Sequence, residues 1–179
     1  MIYFFLAEGF EEIEALCPID LLRRAGLEVK TVGVGGKVIR GAHGIKVTAD
    51  ILDTEYNDKA PELIFLPGGM PGTLNLKASD TVQRAIKEAL ECDAYIAAIC
   101  AAPMILGELG LLCGKEAVCY PGFEDKLLGA KISDKRTVRD GRIFTAKGMG
   151  AALDFGLMIV EELCGKESAD SLRHSVIAD

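Results

Sequence analysis

The chain has 179 residues, half of them apolar and 26% charged, a length and mix that fit one domain (1–179) with a sizeable core. A formal charge of −7 argues against a general nucleic-acid-binding surface. No apolar run approaches membrane-spanning length, and the apolar start has no basic leader before Glu8, Glu11 and Glu12, so a cytoplasmic protein without a membrane partner is expected. The six cysteines (Cys17, Cys92, Cys100, Cys113, Cys119 and Cys164) form no tight framework and read as reduced thiols.

In chain order, residues 2–6 make an apolar run of strand length. Residues 11–25 carry apolar positions at Ile13, Leu16, Cys17 and Leu21 before Gly26, which predicts a helix, kinked or broken at Pro18. Residues 28–34 form a strand, and Gly35-Gly36-Lys37 leads into a hairpin over 38–40 and 45–48. A buried strand over 63–66 ends at Pro67-Gly68-Gly69, followed by a helix over 80–92 with Asp80 as its N-cap. Residues 95–99 are a strand, and 103–109 a helix that stops near Gly110. Strands follow at 117–120, 137–140 and 142–145, the last two joined at Asp140-Gly141. The helix over 151–164 is apolar enough to be buried on more than one face. Short buried strands alternating with helices predict an α/β fold, a mostly parallel sheet with helices on both faces. Ligands of such sheets bind beyond the carboxyl ends of the strands.

Ala97-Ala98-Ile99-Cys100-Ala101-Ala102-Pro103 carries the most chemistry. An apolar strand meets a helix start with one nucleophilic atom at the junction and small residues on either side, as a nucleophile elbow requires. Pro103 suits a first helical turn. A helix N-terminus favours a thiolate, so the Cys100 thiol is expected below the free value of roughly 8.5 and substantially ionised at neutral pH. The other five cysteines read as packed, inert thiols, although Cys119 is also a candidate for lining the Cys100 pocket. Gly68 and Gly69 let backbone N–H groups approach a ligand, and with the Ala101 N–H they offer an oxyanion site; a plain tight turn explains them equally well. Among the acids near the first helix start, Glu8, Glu11 and Glu12 read as solvated groups that complement the helix dipole. Glu14, one turn in, is placed to face the strand ends, where a neighbouring thiolate would keep it neutral.

The sequence resembles the ThiJ/PfpI superfamily, within its DJ-one-like clade, over nearly the whole chain. The resemblance rests on residues 7–14 (AEGFEEIE), Arg23-Arg24-Ala25-Gly26, Leu66-Pro67-Gly68-Gly69, the elbow around Cys100, and Thr145-Ala146-Lys147-Gly148-Met149-Gly150. It implies a flavodoxin-like three-layer sandwich, a homodimer, and a catalytic Cys100 supported by protonated Glu14, with Gly69 and Ala101 as backbone donors. It further implies cofactor-independent glyoxalase or deglycase chemistry on small dicarbonyls or glycated adducts. The alternatives are an oxidation sensor or redox-regulated chaperone acting through a Cys100 sulfinate and, more distantly, an intracellular peptidase.

Many members place a histidine where this chain has Tyr120, and tyrosine, with a pKa of about 10, cannot act as a base near pH 7. The only histidines, His43 and His174, give no Cys-His dyad, which argues against peptidase activity. Two lone histidines and scattered cysteines speak against a zinc site, and no metal is expected. Ala7-Glu8-Gly9-Phe10 puts an acid where a dinucleotide pyrophosphate would sit, so no dinucleotide cofactor is expected either.

Overall fold

The computed structural model describes residues 1–178; Asp179, the last residue of the expected domain, lies outside them. In chain order the elements are β1 (Ile2–Leu6), α1 (Glu12–Arg24), β2 (Val29–Gly33), β3 (Val38–Arg40), β4 (Lys46–Thr48), β5 (Ile51–Leu52), β6 (Leu63–Leu66), α2 (Gly72–Ala78), α3 (Asp80–Glu91), β7 (Tyr95–Ile99), α4 (Pro103–Glu108), β8 (Glu116–Ala117), β9 (Lys131–Ile132), β10 (Thr137–Asp140), β11 (Ile143–Ala146), α5 (Ala152–Cys164) and α6 (Lys166–Ser175).

Seven strands form the central sheet in the order β10-β11-β7-β6-β1-β2-β5. Every pairing in it is parallel except the β10–β11 hairpin, which turns at Gly141 with φ +62°. The continuous apolar runs of the strands follow from burial on both faces. In β1, Ile2, Phe4 and Leu6 face one helical layer, while Tyr3 and Phe5 face the other. Leu63 and Phe65 against Ile64 and Leu66 repeat this alternation in β6, as Ala97 and Ile99 against Ile96 and Ala98 do in β7. The first layer is α1, α5 and α6; the second is built on α2, α3 and α4. The result is a three-layer, flavodoxin-like α/β sandwich. Among the described residues, no helix is long and apolar enough to cross a membrane.

Several local expectations are corrected. α1 runs unbroken through Pro18, whose Cα packs closely on Gly156 of α5, so close helix–helix contact holds the turn that proline weakens. The N-cap of α3 is Ser79, whose side chain accepts from the Val82 N–H at 3.4 Å; Asp80 is the first helical residue. The strand expected over 117–120 pairs only through Glu116–Ala117, in a separate two-stranded sheet with β9. Beyond it the backbone is drawn elsewhere: Val118 N–H donates to Thr145 Oγ1 at 3.0 Å, and Tyr120 N–H to the Cys100 carbonyl at 2.7 Å.

The strand order reverses beside β1. The chain winds outward through β2 and β5, then returns to the other side of β1 for β6, β7 and β11. Such a reversal opens a crevice at the carboxyl ends of the strands. Three segments meet there: α1 after β1, Gly68-Gly69 after β6, and Cys100 after β7.

Candidate active site around Cys100

Cys100 sits on a strained elbow. Its φ is +65°, a conformation that non-glycine residues rarely adopt. Its neighbours hold it there: the Cys100 N–H donates to the Ala146 carbonyl at 2.9 Å, and its carbonyl accepts the Tyr120 N–H. The adjoining strand β11 and the loop after β8 thus fix the backbone, and the side chain stands half-buried above the sheet.

Glu14 approaches from α1. Its own N–H is capped by the Glu11 carboxylate at 2.7 Å, so the first turn of α1 is pinned and the next side chain points inward. Glu14 is 1% exposed, and its Oε2 accepts the Gly68 N–H at 3.0 Å. Glycine is required at position 68. A Cβ there would lie 2.5 Å from both the Cys100 Cβ and Glu14 Oε2. Gly69, at φ +89°, turns its N–H toward the sulfur. The Glu14 carboxyl and the backbone N–H groups of Gly69 and Ala101 are the polar neighbours that act on the Cys100 sulfur.

The electrostatics of the pair follow from this geometry. Burial pushes the Glu14 carboxyl up to about 7, more than the hydrogen bonds from Cys100, Gly68 and Met149 pull it down; the Glu11 charge adds to the rise. The Cys100 thiol moves opposite to the lowering expected from its sequence context. Burial first, then the charge and hydrogen bond of Glu14, push it up to about 12, against the two backbone donors. The helix that was to stabilise a thiolate is only six residues long and starts at Pro103, while the sulfur is half-buried against a carboxyl group. Two acids so placed share one proton between about pH 7 and about pH 12. With that proton on Glu14, the like charge that raises the thiol is gone, and the carboxyl donates to sulfur.

Glu14, Gly68, Gly69, Cys100, Ala101 and Tyr120 therefore come together. Gly69, Cys100, Ala101 and Tyr120 line a small cavity of about 140 Å³ above the sulfur, along with Met70 and Phe123, which sequence reading missed. A signal for Phe123 existed: Tyr120-Pro121-Gly122-Phe123 has the proline and glycine of a tight turn, and the Phe123 N–H bonds back to the Tyr120 carbonyl at 3.1 Å. Cys119 is buried and does not line the cavity; burial pushes its thiol up to about 11. A larger groove of about 630 Å³ lies on the β2 side, between Glu8, Gly35, Asp53 and Asp80, and its lining has no cysteine.

Glu12 departs from the solvated role expected of it. It is 2% exposed, and its carboxylate accepts the His43 N–H at 2.8 Å and the Ile45 N–H at 3.3 Å, with His43 Nδ1 at 2.9 Å. It clamps the β3–β4 hairpin onto α1. Among the described residues, Glu11, Glu12 and His43 are the one group whose ligand-type atoms lie within 4.8 Å of each other, but Glu11 is engaged as the cap of α1 and Glu12 as the hairpin clamp. His43 thus belongs to the clamp and His174 to α6; neither lines the Cys100 cavity.

Comparison with known proteins places the fold in a family. The model of the DJ-1/PfpI family matches residues 1–162. Protein DJ-1 homolog B of Arabidopsis thaliana is 41% identical over 167 residues, covering 92% of this chain and 38% of its own length. The chain spans less than half the length of both Arabidopsis relatives, 38% and 44%. The glutathione-independent glyoxalase DJR-1.2 of Caenorhabditis elegans is 33% identical, covering 92% of this chain and 89% of its own. Among solved structures, oxidized Toxoplasma gondii DJ-1 superposes with a TM-score of 0.94 at 34% identity, covering 98% of this chain and 97% of its own. With a matching family model over most of its length and relatives of this similarity, the chain belongs to the DJ-1/PfpI family.

Proposed function

We propose that the chain, acting as one domain over residues 1–179, is a cofactor-independent glyoxalase- or deglycase-type enzyme of the cytoplasm that works on small dicarbonyls or their adducts through Cys100. The observation that carries this reading is the buried Glu14 carboxyl brought beside a half-buried Cys100 across Gly68, where a Cβ would meet both at 2.5 Å. The tautomer with the proton on Glu14 and the charge on sulfur is the reactive one. Its thiolate adds to the aldehyde carbon of a 2-oxoaldehyde, and Glu14 gives its proton to the new alkoxide, forming a hemithioacetal. The resulting Glu14 carboxylate removes the proton from that carbon and returns it to the neighbouring carbon of the former ketone, while the hydroxyl proton passes from the first oxygen to the second, leaving a thioester of a 2-hydroxy acid. Water cleaves the thioester, releasing the hydroxy acid and regenerating the shared proton. The sum is one dicarbonyl plus one water giving one hydroxy acid, with no external oxidant or reductant. The Gly69 and Ala101 N–H groups, already aimed at the sulfur, stabilise negative charge beside it. The DJR-1.2 relative, described as a glyoxalase, supports the same chemistry here.

Lactate formation from methylglyoxal tests it. Cys100→Ala is expected to abolish turnover, and Glu14→Ala to lower kcat by about a hundredfold or more. A wild-type protein that forms no lactate would reject this reading.

A second reading, an oxidation sensor or redox-regulated chaperone, uses the same sulfur. A relative solved in an oxidized form favours it. Cys100 would pass through the sulfenic to the sulfinic acid, with Glu14 hydrogen-bonding the product. Mild peroxide should then add two oxygens at Cys100 alone, as read by intact mass; oxidation spread over all six cysteines would reject it. A homodimer fits the exposed Ile13 on α1 and the exposed Ile45 on the hairpin that Glu12 clamps to that helix. Sedimentation equilibrium tests it directly.

A further inference from the structure

The cavity above the sulfur has one chemical character. Beyond the backbone of Gly69 and Ala101, its walls are the side chains of Met70, Tyr120 and Phe123. Met70 and Tyr120 are 42% and 50% exposed, so two large apolar groups stand uncovered at the mouth beside the nucleophile. Tyr120 is held in place: its N–H bonds to the Cys100 carbonyl, and its ring lies against Gly148, where a Cβ would meet Cδ2 at 3.3 Å. Phe123 is tied to the same turn by its N–H bond to the Tyr120 carbonyl. Among the described residues that line the cavity there is no lysine, arginine or histidine. The one ionisable group of the floor is the Cys100 sulfur, with the buried Glu14 carboxyl behind Gly68. The volume, about 140 Å³, is close to that of an apolar protein cavity that holds one benzene ring, roughly 150 Å³.

We infer that Tyr120 is the residue that selects, among small 2-oxoaldehydes, for those whose substituent is uncharged and apolar, alkyl or aryl. The inference deepens the dicarbonyl reading above and rests on it for the reaction, but not for the pocket. A carboxylate on the substituent would stand beside the Cys100 thiolate among apolar walls, with no lining cation to offset it. A hydrogen in that place, as in glyoxal, would leave the Tyr120 and Phe123 faces in water.

Two measurements test this. In the first, kcat/KM is taken for phenylglyoxal and for glyoxal, in wild type and in Tyr120→Ala. The ratio of phenylglyoxal to glyoxal is expected to fall about tenfold in the variant, chiefly through the KM for phenylglyoxal. An unchanged ratio, with both compounds turned over, overturns the inference and leaves the dicarbonyl reading standing. In the second, Cys100 is alkylated with N-benzyliodoacetamide or iodoacetate and followed by intact mass, each rate divided by that of glutathione. The benzyl reagent is expected to be favoured about tenfold or more. Equal normalised rates, or a preference for the anion, overturn the inference whether or not any dicarbonyl is turned over. If neither dicarbonyl reacts but the benzyl preference holds, the reaction assignment fails and the pocket assignment survives. Should Tyr120→Ala fail to fold, Tyr120→His takes its place in the first measurement with the same expected direction.

Discussion

Glu12 and Glu14 lie two residues apart on one helix, both nearly inaccessible to solvent, yet their environments drive them to opposite protonation states. Burial raises both carboxyl groups. At Glu12 it is outweighed by donors from the hairpin, His43 Nδ1 and the His43 and Ile45 N–H groups, and the group is held below the usual carboxylate range. At Glu14 burial prevails over the hydrogen bonds from Cys100, Gly68 and Met149, the Glu11 charge adds to it, and the group is pushed up to about 7. Exposed area alone does not set the charge; the balance of desolvation against hydrogen-bond donors does. One carboxylate is structural and stays ionised, and the other is available to move a proton.

The largest effect that would sharpen this contrast is on stability against pH. Between the ordinary carboxyl value of 4.5 and about 7, the folded chain keeps the Glu14 proton and the unfolded chain does not. Stability should therefore fall as pH rises through that window, by about 3 kcal/mol in all. Urea midpoints from pH 4 to 8 should carry this slope in wild type and lose it in Glu14→Gln. The Glu12 contribution has the opposite sign, being present above the ordinary carboxyl value and lost as pH falls through its lowered one.

Next in size is Gly68, which separates the thiol from the carboxyl. Gly68→Ala puts a methyl group against both. Methylglyoxal turnover is expected to fall about a hundredfold, the cost of displacing aligned reacting groups. Turnover within twofold of wild type would break the claim that the two side chains act in contact. Smaller still, Glu12→Ala leaves the hairpin donors without their acceptor and should cost about 2 kcal/mol by chemical denaturation. The thiol titration of Cys100 should not move in that variant. A shifted thiol would mean that the two carboxylates act as one unit.

Much of this was legible in the chain itself. The two-faced alternation in residues 2–6, 63–66 and 95–99 specifies a sheet covered on both sides, and small residues around Cys100 specify an elbow. Glu14 could be aimed inward from helical spacing alone. What escaped depends on distant partners or on weak local signals. The burial of Glu12 is created by a hairpin some thirty residues later. α2 opens on Pro71-Gly72, β5 is two residues long and α6 is mostly polar, so none has the periodicity that marks an element. The upward push on the Cys100 thiol was missed because a helix start suggests a positive end, whereas α4 is short and the sulfur is half-buried beside an acid.

The proton shared between Glu14 and Cys100 is tested most directly by thiolate absorbance against pH, in wild type and in Glu14→Gln. Wild type should lose one proton from the pair near pH 7 and the second only toward pH 12, and Glu14→Gln should show a single thiol step between those limits. One ordinary step near pH 8.5 in both proteins would mean that the sulfur does not sense the carboxyl, and would contradict the shared proton on which the chemistry depends.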